Sequence, residues 1–224
     1  MNALTLSGRA RRAGFAAALA GAALALLAPA VQAAPADDEV AQLQRDWEAI
    51  RYRVAAAERA QRFEALAAKA HEVSQSHPGR AEPLVWEGII VSSLAGERGG
   101  LGALSLVKQA KALYEAAIQI DGKVLEGSAY NSLGVLYYKV PGWPLGFGDK
   151  ARARELLRKA LALNPEGIDP NFFYGEYLLE TGQPQEAVSY LERALQAPAR
   201  PGRELADAGR REEARQLLEK ARAR

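Results

Sequence analysis

The sequence contains no cysteine and only two histidines among its 224 residues. Without cysteine the chain has no disulfides, so its stability has to come from packing. A cysteine is also absent after the apolar segment near the N-terminus, which argues against a lipid-anchored protein. The two histidines, His71 and His77, are too few to build a metal site. We therefore expect no metal and no cofactor.

Acidic residues are missing from the first 33 positions, and this segment has the features of a secretory signal peptide. Three arginines precede an apolar stretch at 13–30, and the small residues Val31 and Ala33 follow it. We predict cleavage after Ala33 and a soluble protein of the bacterial periplasm, or a secreted one. A retained membrane anchor is the alternative, because about 18 apolar residues are just enough to span a bilayer.

Net charge is small once this leader is set aside. The whole chain has 29 basic and 27 acidic side chains, and three of the basic ones lie in the leader. The remainder therefore carries a net charge of about −1, which gives no argument for nucleic-acid binding.

Small and large apolar residues recur along the chain with a period of 34 residues. In the two clearest copies, Ala153, Leu157 and Ala160 of one predicted helix recur as Ala187, Leu191 and Ala194. The predicted helix before each set carries a glycine, Gly134 in the first copy and Gly175 in the second. Small residues at these places allow two helices to approach closely, and the leucine fills the space between them. This helix–turn–helix period resembles the tetratricopeptide repeat (TPR) superfamily.

The resemblance implies an all-α fold, a TPR-type solenoid of stacked antiparallel helix pairs. Beyond the leader, no segment alternates between apolar and polar residues as a strand does. We expect one domain over 34–224, with four repeats and C-terminal capping helices at about 47–80, 81–124, 127–167, 168–201 and 202–224.

Glycines also predict where helices end. Gly182 has the place of a glycine that terminates a helix, and Gly148 and Gly209 stand at the equivalent point of their repeats. The first repeat is the least regular, because Val54 takes the position that glycine holds in the others.

Two repeats contain long insertions between their helices, and we expect both to be loops. The insertions fall at equivalent points, 95–106 and 140–149, so they should project from the same face. The second insertion is rich in proline and glycine and carries Trp143 and Phe147. These aromatic residues suit either a contact surface for a ligand or partner, or a plug that packs on the neighbouring helices.

The insertions and the segments beside them resemble one family within the TPR superfamily. The segments SAYNSLGVLY at 128–137, PGWP at 141–144 leading into GDKA at 148–151, and NFFYG at 171–175 resemble the TatT component family of tripartite (TRAP) transporters. The resemblance extends over about residues 40–224. It implies a periplasmic TPR protein that works with the solute-binding subunit of an uptake system. Members are typically lipid-anchored at the outer membrane, and this chain departs from them by lacking the cysteine.

Candidate contact residues follow from the repeat positions that line the concave face of a TPR stack. With the aromatic residues of the second insertion they are Asn131, Tyr138, Lys139, Trp143, Phe147, Phe172 and Glu176. The carboxylates of Asp169, Glu176 and Glu180 are the only candidates for acid–base chemistry, and we interpret them as a solvated helix face. We therefore predict that the protein is not an enzyme.

Two hypotheses on function remain open. In the first, the chain is an exported TPR protein that mediates protein–protein interaction, as an accessory component of periplasmic solute uptake with a solute-binding protein as its partner. In the second, it is a small-molecule-binding module with a small polar ligand in the concave groove under the inserted loops. Neither involves nucleic acid, or stable membrane insertion after signal cleavage.

Overall fold

The computed structural model describes residues 35–224, and the predicted signal peptide lies outside them. The described residues form helices and no strands, which confirms the all-α prediction. There are nine helices in this range: α1 (Pro35–Arg53), α2 (Ala56–Ser76), α3 (Ala81–Arg98), α4 (Gly100–Asp121), α5 (Val124–Lys139), α6 (Lys150–Leu163), α7 (Ile168–Glu180), α8 (Pro184–Gln196) and α9 (Glu204–Arg222). A search of the described helices finds none with the length and apolarity that crossing a membrane requires.

The repeat glycines pack against large residues of the following helix. A Cβ atom added at Gly134 would lie 2.8 Å from Cγ of Leu157, and one at Gly175 would lie 2.8 Å from Cγ of Leu191. At Gly88 the added atom would meet the ring of Tyr114 at 2.6 Å. These contacts confirm that the small residue brings α3, α5 and α7 close to α4, α6 and α8.

Two helix ends have recognisable caps, and the one at Gly182 is the one that the sequence predicts. Asp149 caps α6, because its Oδ1 accepts hydrogen bonds from the backbone N–H of Ala151 at 2.8 Å and of Arg152 at 3.0 Å. Gly182 follows α7 with a φ of +79°, and the N–H of Gln183 donates to the carbonyl of Leu178 at 2.8 Å. This is the Schellman arrangement expected of a terminating glycine.

The odd-numbered helices form a closed inner ring. Contacts run from α1 to α3, from α3 to α5, from α5 to α7 and from α7 to α9, and α9 in turn contacts α1. The even-numbered helices pack outside this ring, each against the two odd-numbered helices that flank it in sequence. The concave side of the solenoid is therefore enclosed by its own last helix.

The first insertion is helical, which corrects the prediction of a loop at 95–106. These residues extend α3 to Arg98 and start α4 at Gly100. The chain turns at Gly99 and Gly100, whose φ values of +61° and +60° suit glycine. Apolar residues such as Leu104 and Leu106 continue the helical periodicity, so the extra length is taken up by two longer helices. The second insertion is a loop, as predicted.

The C-terminal segment is one helix, whereas the sequence suggests a break at Gly209. This glycine lies inside α9 and faces the ring of Tyr52 on α1, where any Cβ atom would overlap it. Its small size serves the close approach of two helices and does not end one. In the first repeat, α1 ends at Arg53 and Val54 lies in the connection to α2. Val54 is therefore not packed between two helices as the glycines of the other repeats are.

A short left-handed segment opens α5. Leu125, Glu126 and Gly127 have φ values of 49°, 55° and 80°, so the regular helix begins at Ser128. Left-handed backbone is costly for Leu and Glu, and such strain persists only where surrounding packing fixes it. Here Leu125 packs against the cores formed by α1–α3 and by α3–α5.

Candidate functional site

The closed ring surrounds a cavity of about 1180 Å³. All five inner helices contribute to its wall, with Trp47 from α1, Trp86 from α3, Asn131 from α5, Phe173 from α7 and Arg210 from α9 among the lining residues. The first turns of α4 and the start of the 140–149 loop complete it. Both insertions therefore lie at the concave side, where the sequence places them.

One side of the cavity is aromatic. The ring of Trp47 stands edge-on to Tyr52 at 6.0 Å and to Trp86 at 6.1 Å between centroids. The indole N–H of Trp47 donates to Oγ of Ser93 at 2.8 Å, which fixes its orientation. Because aromatic rings supply large apolar surfaces, this side suits the apolar body of a bound molecule.

The neighbouring part of the wall is built from ion pairs around α9. The carboxylate of Asp169 accepts from Arg200 at 2.7 Å and from Arg210 at 2.9 Å. Arg203 pairs with Glu48 and also lies over the ring of Trp86, 5.1 Å from its centroid. Burial raises the pKa of Asp169, but the charges of Arg210 and Arg200 outweigh it and lower the pKa to about 2.

These arginines do not give the wall a free positive charge. Arg51 pairs with Glu213 at 2.8 Å, and Arg200 also pairs with Asp207 at 2.6 Å. Each arginine that lines the cavity thus has a carboxylate partner. The wall offers hydrogen-bonding groups from neutral ion pairs, and it suits a polar end group better than a bare charge.

Three cavity-lining residues have buried polar atoms without hydrogen-bond partners among the described residues. They are the hydroxyl of Tyr52, Nε1 of Trp86 and Oδ1 of Asn131. Asn131 and Trp86 are 5% and 4% exposed. A buried polar group left unpaired costs about 1–3 kcal/mol, so such groups call for an explanation. The residues that carry these atoms line the cavity, next to any molecule that it holds.

The structure places two of the predicted contact residues in the cavity wall. Asn131 lines it from α5, and Lys139 lines it from the end of the same helix. The ammonium group of Lys139 is held by Glu176 at 2.9 Å and by Glu180.

Three other predicted residues lie behind the wall. Tyr138 is buried, and its hydroxyl donates to Oε2 of Glu176 at 2.6 Å. Burial raises the pKa of Tyr138 well above its ordinary value, so the phenol stays protonated. Phe172 is buried as well, with the guanidinium of Arg210 4.5 Å from its ring centroid. Tyr138, Phe172 and Glu176 support the wall and do not face the cavity.

The two aromatic residues of the second insertion have different surroundings. Phe147 packs edge-on against Tyr137 at 5.5 Å, and Nζ of Lys111 lies 5.9 Å from its ring centroid. Trp143 is 91% exposed. Phe147 therefore packs on the neighbouring helices as a plug, whereas Trp143 is available for contact with a ligand or partner.

The candidate carboxylates do not converge on one site. Asp169 belongs to the ion pairs of α9, whereas Glu176 and Glu180 hold Lys139. A carboxylate whose pKa is about 2 stays ionised at neutral pH and does not serve as a general acid. Within residues 35–224, no group of three metal-binding side chains comes together.

Sequence reasoning missed the residues that α1 and α9 contribute. Trp47, Tyr52, Arg203 and Arg210 all line the cavity. A signal was present at the start of α9, since Arg203 directly before the helix and Ala206 and Arg210 within it recur at the spacing of one helix face. It was hidden because the last helix of a solenoid is expected to cap the stack, not to wall its groove.

One segment of the chain is similar to a known protein family. Residues 145–201 match a family model described as tetratricopeptide repeat. No curated protein matches.

Solved structures similar to the chain include two designated MamA. The one from AMB-1 is 18% identical and the one from MSR-1 is 20% identical, with TM-scores of 0.46 and 0.40. These likenesses cover 83% and 82% of this chain and 94% and 95% of those chains. TTC0263, a thermophilic TPR protein in Thermus thermophilus, is 15% identical over 81% of this chain and 99% of its own, with a TM-score of 0.41. Scores at this level carry no argument on function.

The matched segment runs from the second insertion to the end of the connection after α8. It contains the pairs in which Gly175 packs on Leu191 and Ala153 and Ala187 are fully buried. Residues 145–201 are therefore similar to tetratricopeptide repeat sequence, and they lie within an all-α solenoid of helix pairs.

Proposed function

We propose that this chain is an exported, non-enzymatic binding protein that holds a small molecule inside its closed helical ring. The observation that carries this proposal is the contact between α9 and α1, which encloses the concave side. An open TPR groove suits an extended or helical segment of a partner protein. A groove enclosed by its own last helix suits a compact ligand.

The wall indicates the class of ligand. The cavity volume of about 1180 Å³ lies slightly above the range of roughly 300–1,000 Å³ that is typical of small-molecule pockets. The rings of Trp47 and Trp86 favour an apolar body, whereas the ion pairs around α9 and the amide of Asn131 favour a polar end that both donates and accepts hydrogen bonds. An amphipathic organic molecule meets these requirements.

The ligand proposal is tested at Asn131. Native mass spectrometry and thermal shift against a panel of organic acids, alcohols and amides should identify stabilising compounds. Asn131→Leu removes an unpaired buried oxygen, so we expect an unchanged or higher melting temperature and at least a tenfold weaker affinity.

Asn171 is the matched control for this experiment. Its Nδ2 donates to the carbonyls of Pro165 and Gly167 at 2.8 Å, and it does not line the cavity. Asn171→Leu should lower stability without changing the affinity of the folded protein. If no compound stabilises the wild-type protein, or if Asn131→Leu binds it as tightly, the proposal is wrong.

A role as an accessory component of periplasmic solute uptake, with a solute-binding protein as partner, is the second candidate. The tetratricopeptide match favours it, because helical repeat arrays present extended surfaces to partners. The TatT-like segments at 128–137, 141–151 and 171–175 are its other support. Purified protein should then retain one solute-binding protein from a periplasmic extract of the source organism. Retention of none would remove the transport role and leave ligand binding untouched.

A further inference from the structure

Within residues 35–224, the most exposed large apolar side chains lie in the two insertions, 95–106 and 140–149, which both reach the cavity. Trp143 is 91% exposed, Leu101 84% and Leu145 67%. Leu101 and Leu145 also line the cavity, so they lie where it opens to solvent. We call Leu101, Trp143 and Leu145 the mouth rim.

The loop that carries Trp143 is held in place at its base. The N–H of Gly148 donates to the carbonyl of Pro141 at 2.9 Å, which closes the loop, and Phe147 packs on α4 and α5. The N–H groups of Leu145 and Gly146 both donate to the carbonyl of Gly142 at 3.1 Å, which folds the tip. The tip at 142–145 therefore projects from a fixed support, and its apolar side chains contribute little to the core.

Basic residues outnumber acidic ones in the two segments that carry the mouth rim. The segments 95–111 and 140–155 contain six basic and three acidic side chains, whereas the chain beyond the leader is slightly acidic. Lys108 and Lys150 are exposed and form no ion pair within the described range. Lys108 lies two helical turns after Leu101 on α4, and Lys150 directly follows the loop.

We propose that the mouth rim docks on an anionic lipid surface. Tryptophan and leucine side chains enter the boundary between headgroups and acyl chains, and neighbouring lysines are attracted to anionic headgroups. Separate side chains that project from a loop tip and a helix end suit a deformable surface. A protein partner would need a matching pocket for each of them.

This docking is peripheral and independent of any ligand in the cavity. It would set the opening of the cavity against the membrane. It also differs from a covalent lipid anchor, which would need a cysteine that the sequence does not contain.

Vesicle flotation tests the proposal with the mature chain. We expect binding to vesicles of phosphatidylcholine and phosphatidylglycerol at 3:1, and at least tenfold weaker binding to pure phosphatidylcholine. Trp143→Ser with Leu145→Ser should weaken binding to the mixed vesicles at least tenfold, and Lys108→Glu with Lys150→Glu should do the same. Ile120→Ser is the matched control, because Ile120 is 46% exposed at the far end of α4 and should leave binding within twofold.

Tryptophan fluorescence gives a second readout. Brominated lipids should quench part of the emission of the wild-type protein, and this part should be absent in the Trp143→Ser, Leu145→Ser protein, because Trp47 and Trp86 are buried. The proposal is overturned if the wild-type protein does not float with anionic vesicles at low salt. It is also overturned if the double variant floats as well as the wild type. It is overturned, too, if the wild type is an oligomer that binds no vesicles and the double variant is a monomer, since the mouth rim would then be an interface between copies.

Discussion

Gly209 of the last helix lies directly against the ring of Tyr52 of the first helix, with no room for a Cβ atom between them. These residues are far apart in sequence, and their contact closes the inner ring. It is accompanied by an ion pair between Arg51 and Glu213 at 2.8 Å. Because the cavity exists only while α1 and α9 touch, this contact should control both stability and binding.

Gly209→Ala should destabilise the protein by about 1–3 kcal/mol, because the added methyl group overpacks a fixed aromatic ring. Gly96→Ala is the control, since no atom lies within 4 Å of its added Cβ and an alanine in a helix is favourable by up to about 1 kcal/mol. Urea denaturation would compare the two. Equal stability of both variants would show that α9 does not press on α1.

Arg203 and Glu48 should behave as a buried pair, since their side chains are only 16% and 6% exposed. Arg203→Met leaves the carboxylate of Glu48 buried and unpaired, which should cost about 3 kcal/mol. Arg203→Met with Glu48→Gln should recover much of that loss. A double-mutant cycle in urea measures the coupling, and strictly additive losses would contradict the pairing.

Asp169 should give the protein a pH-dependent part of its stability. Its pKa is about 2 in the folded protein against an ordinary value of 3.8, so folding favours the ionised form. The stabilisation is complete above about pH 5 and is lost as the pH falls through 3.8 towards 2. The shift corresponds to about 2 kcal/mol. Asp169→Asn should therefore be less stable than the wild type at pH 6, and the difference should shrink towards pH 2. A constant difference across this range would rule out the ion pairs as its cause.

Truncation of Phe147 should lower stability much more than truncation of Trp143, although both residues lie in one loop. Phe147→Ala removes a ring that packs on Tyr137 and on the core shared by α3–α6, so it should cost about 2 kcal/mol or more. Trp143→Ala removes an exposed side chain, and we expect a change within about 0.5 kcal/mol. Thermal unfolding monitored by circular dichroism compares them, and similar losses would mean that Trp143 is packed as well.

Local regularity explains how much of the fold could be predicted. The alanines at 153 and 160 recur 34 residues later at 187 and 194 because each helix pair repeats the same packing, and the glycines at 134 and 175 precede them. The glycine that ends α7 follows directly from that pattern. The first insertion was misread because glycine-rich sequence suggests a loop, whereas only Gly99 and Gly100 interrupt the helices.

The candidate site was less predictable than the fold. Asn131 and Lys139 could be found because repeat positions determine which residues of α5 face inwards. Tyr138, Phe172 and Glu176 were placed by the same rule, but they lie behind the wall. The hydroxyl of Tyr138 is held by Glu176, and the ring of Phe172 lies under the guanidinium of Arg210, so these side chains contact their neighbours and not the cavity.

The sequence by itself determined that the chain forms helix pairs, which glycine packs on which large residue, and where the aromatic loop lies. These features depend on neighbours within one repeat, and they leave a periodic signal. The tertiary structure alone decided that the solenoid closes on itself, that α1 and α9 wall the cavity, and that Phe147 is packed while Trp143 is exposed. Those outcomes depend on contacts such as that of Glu48 with Arg203, across 155 positions of sequence, which no local period encodes.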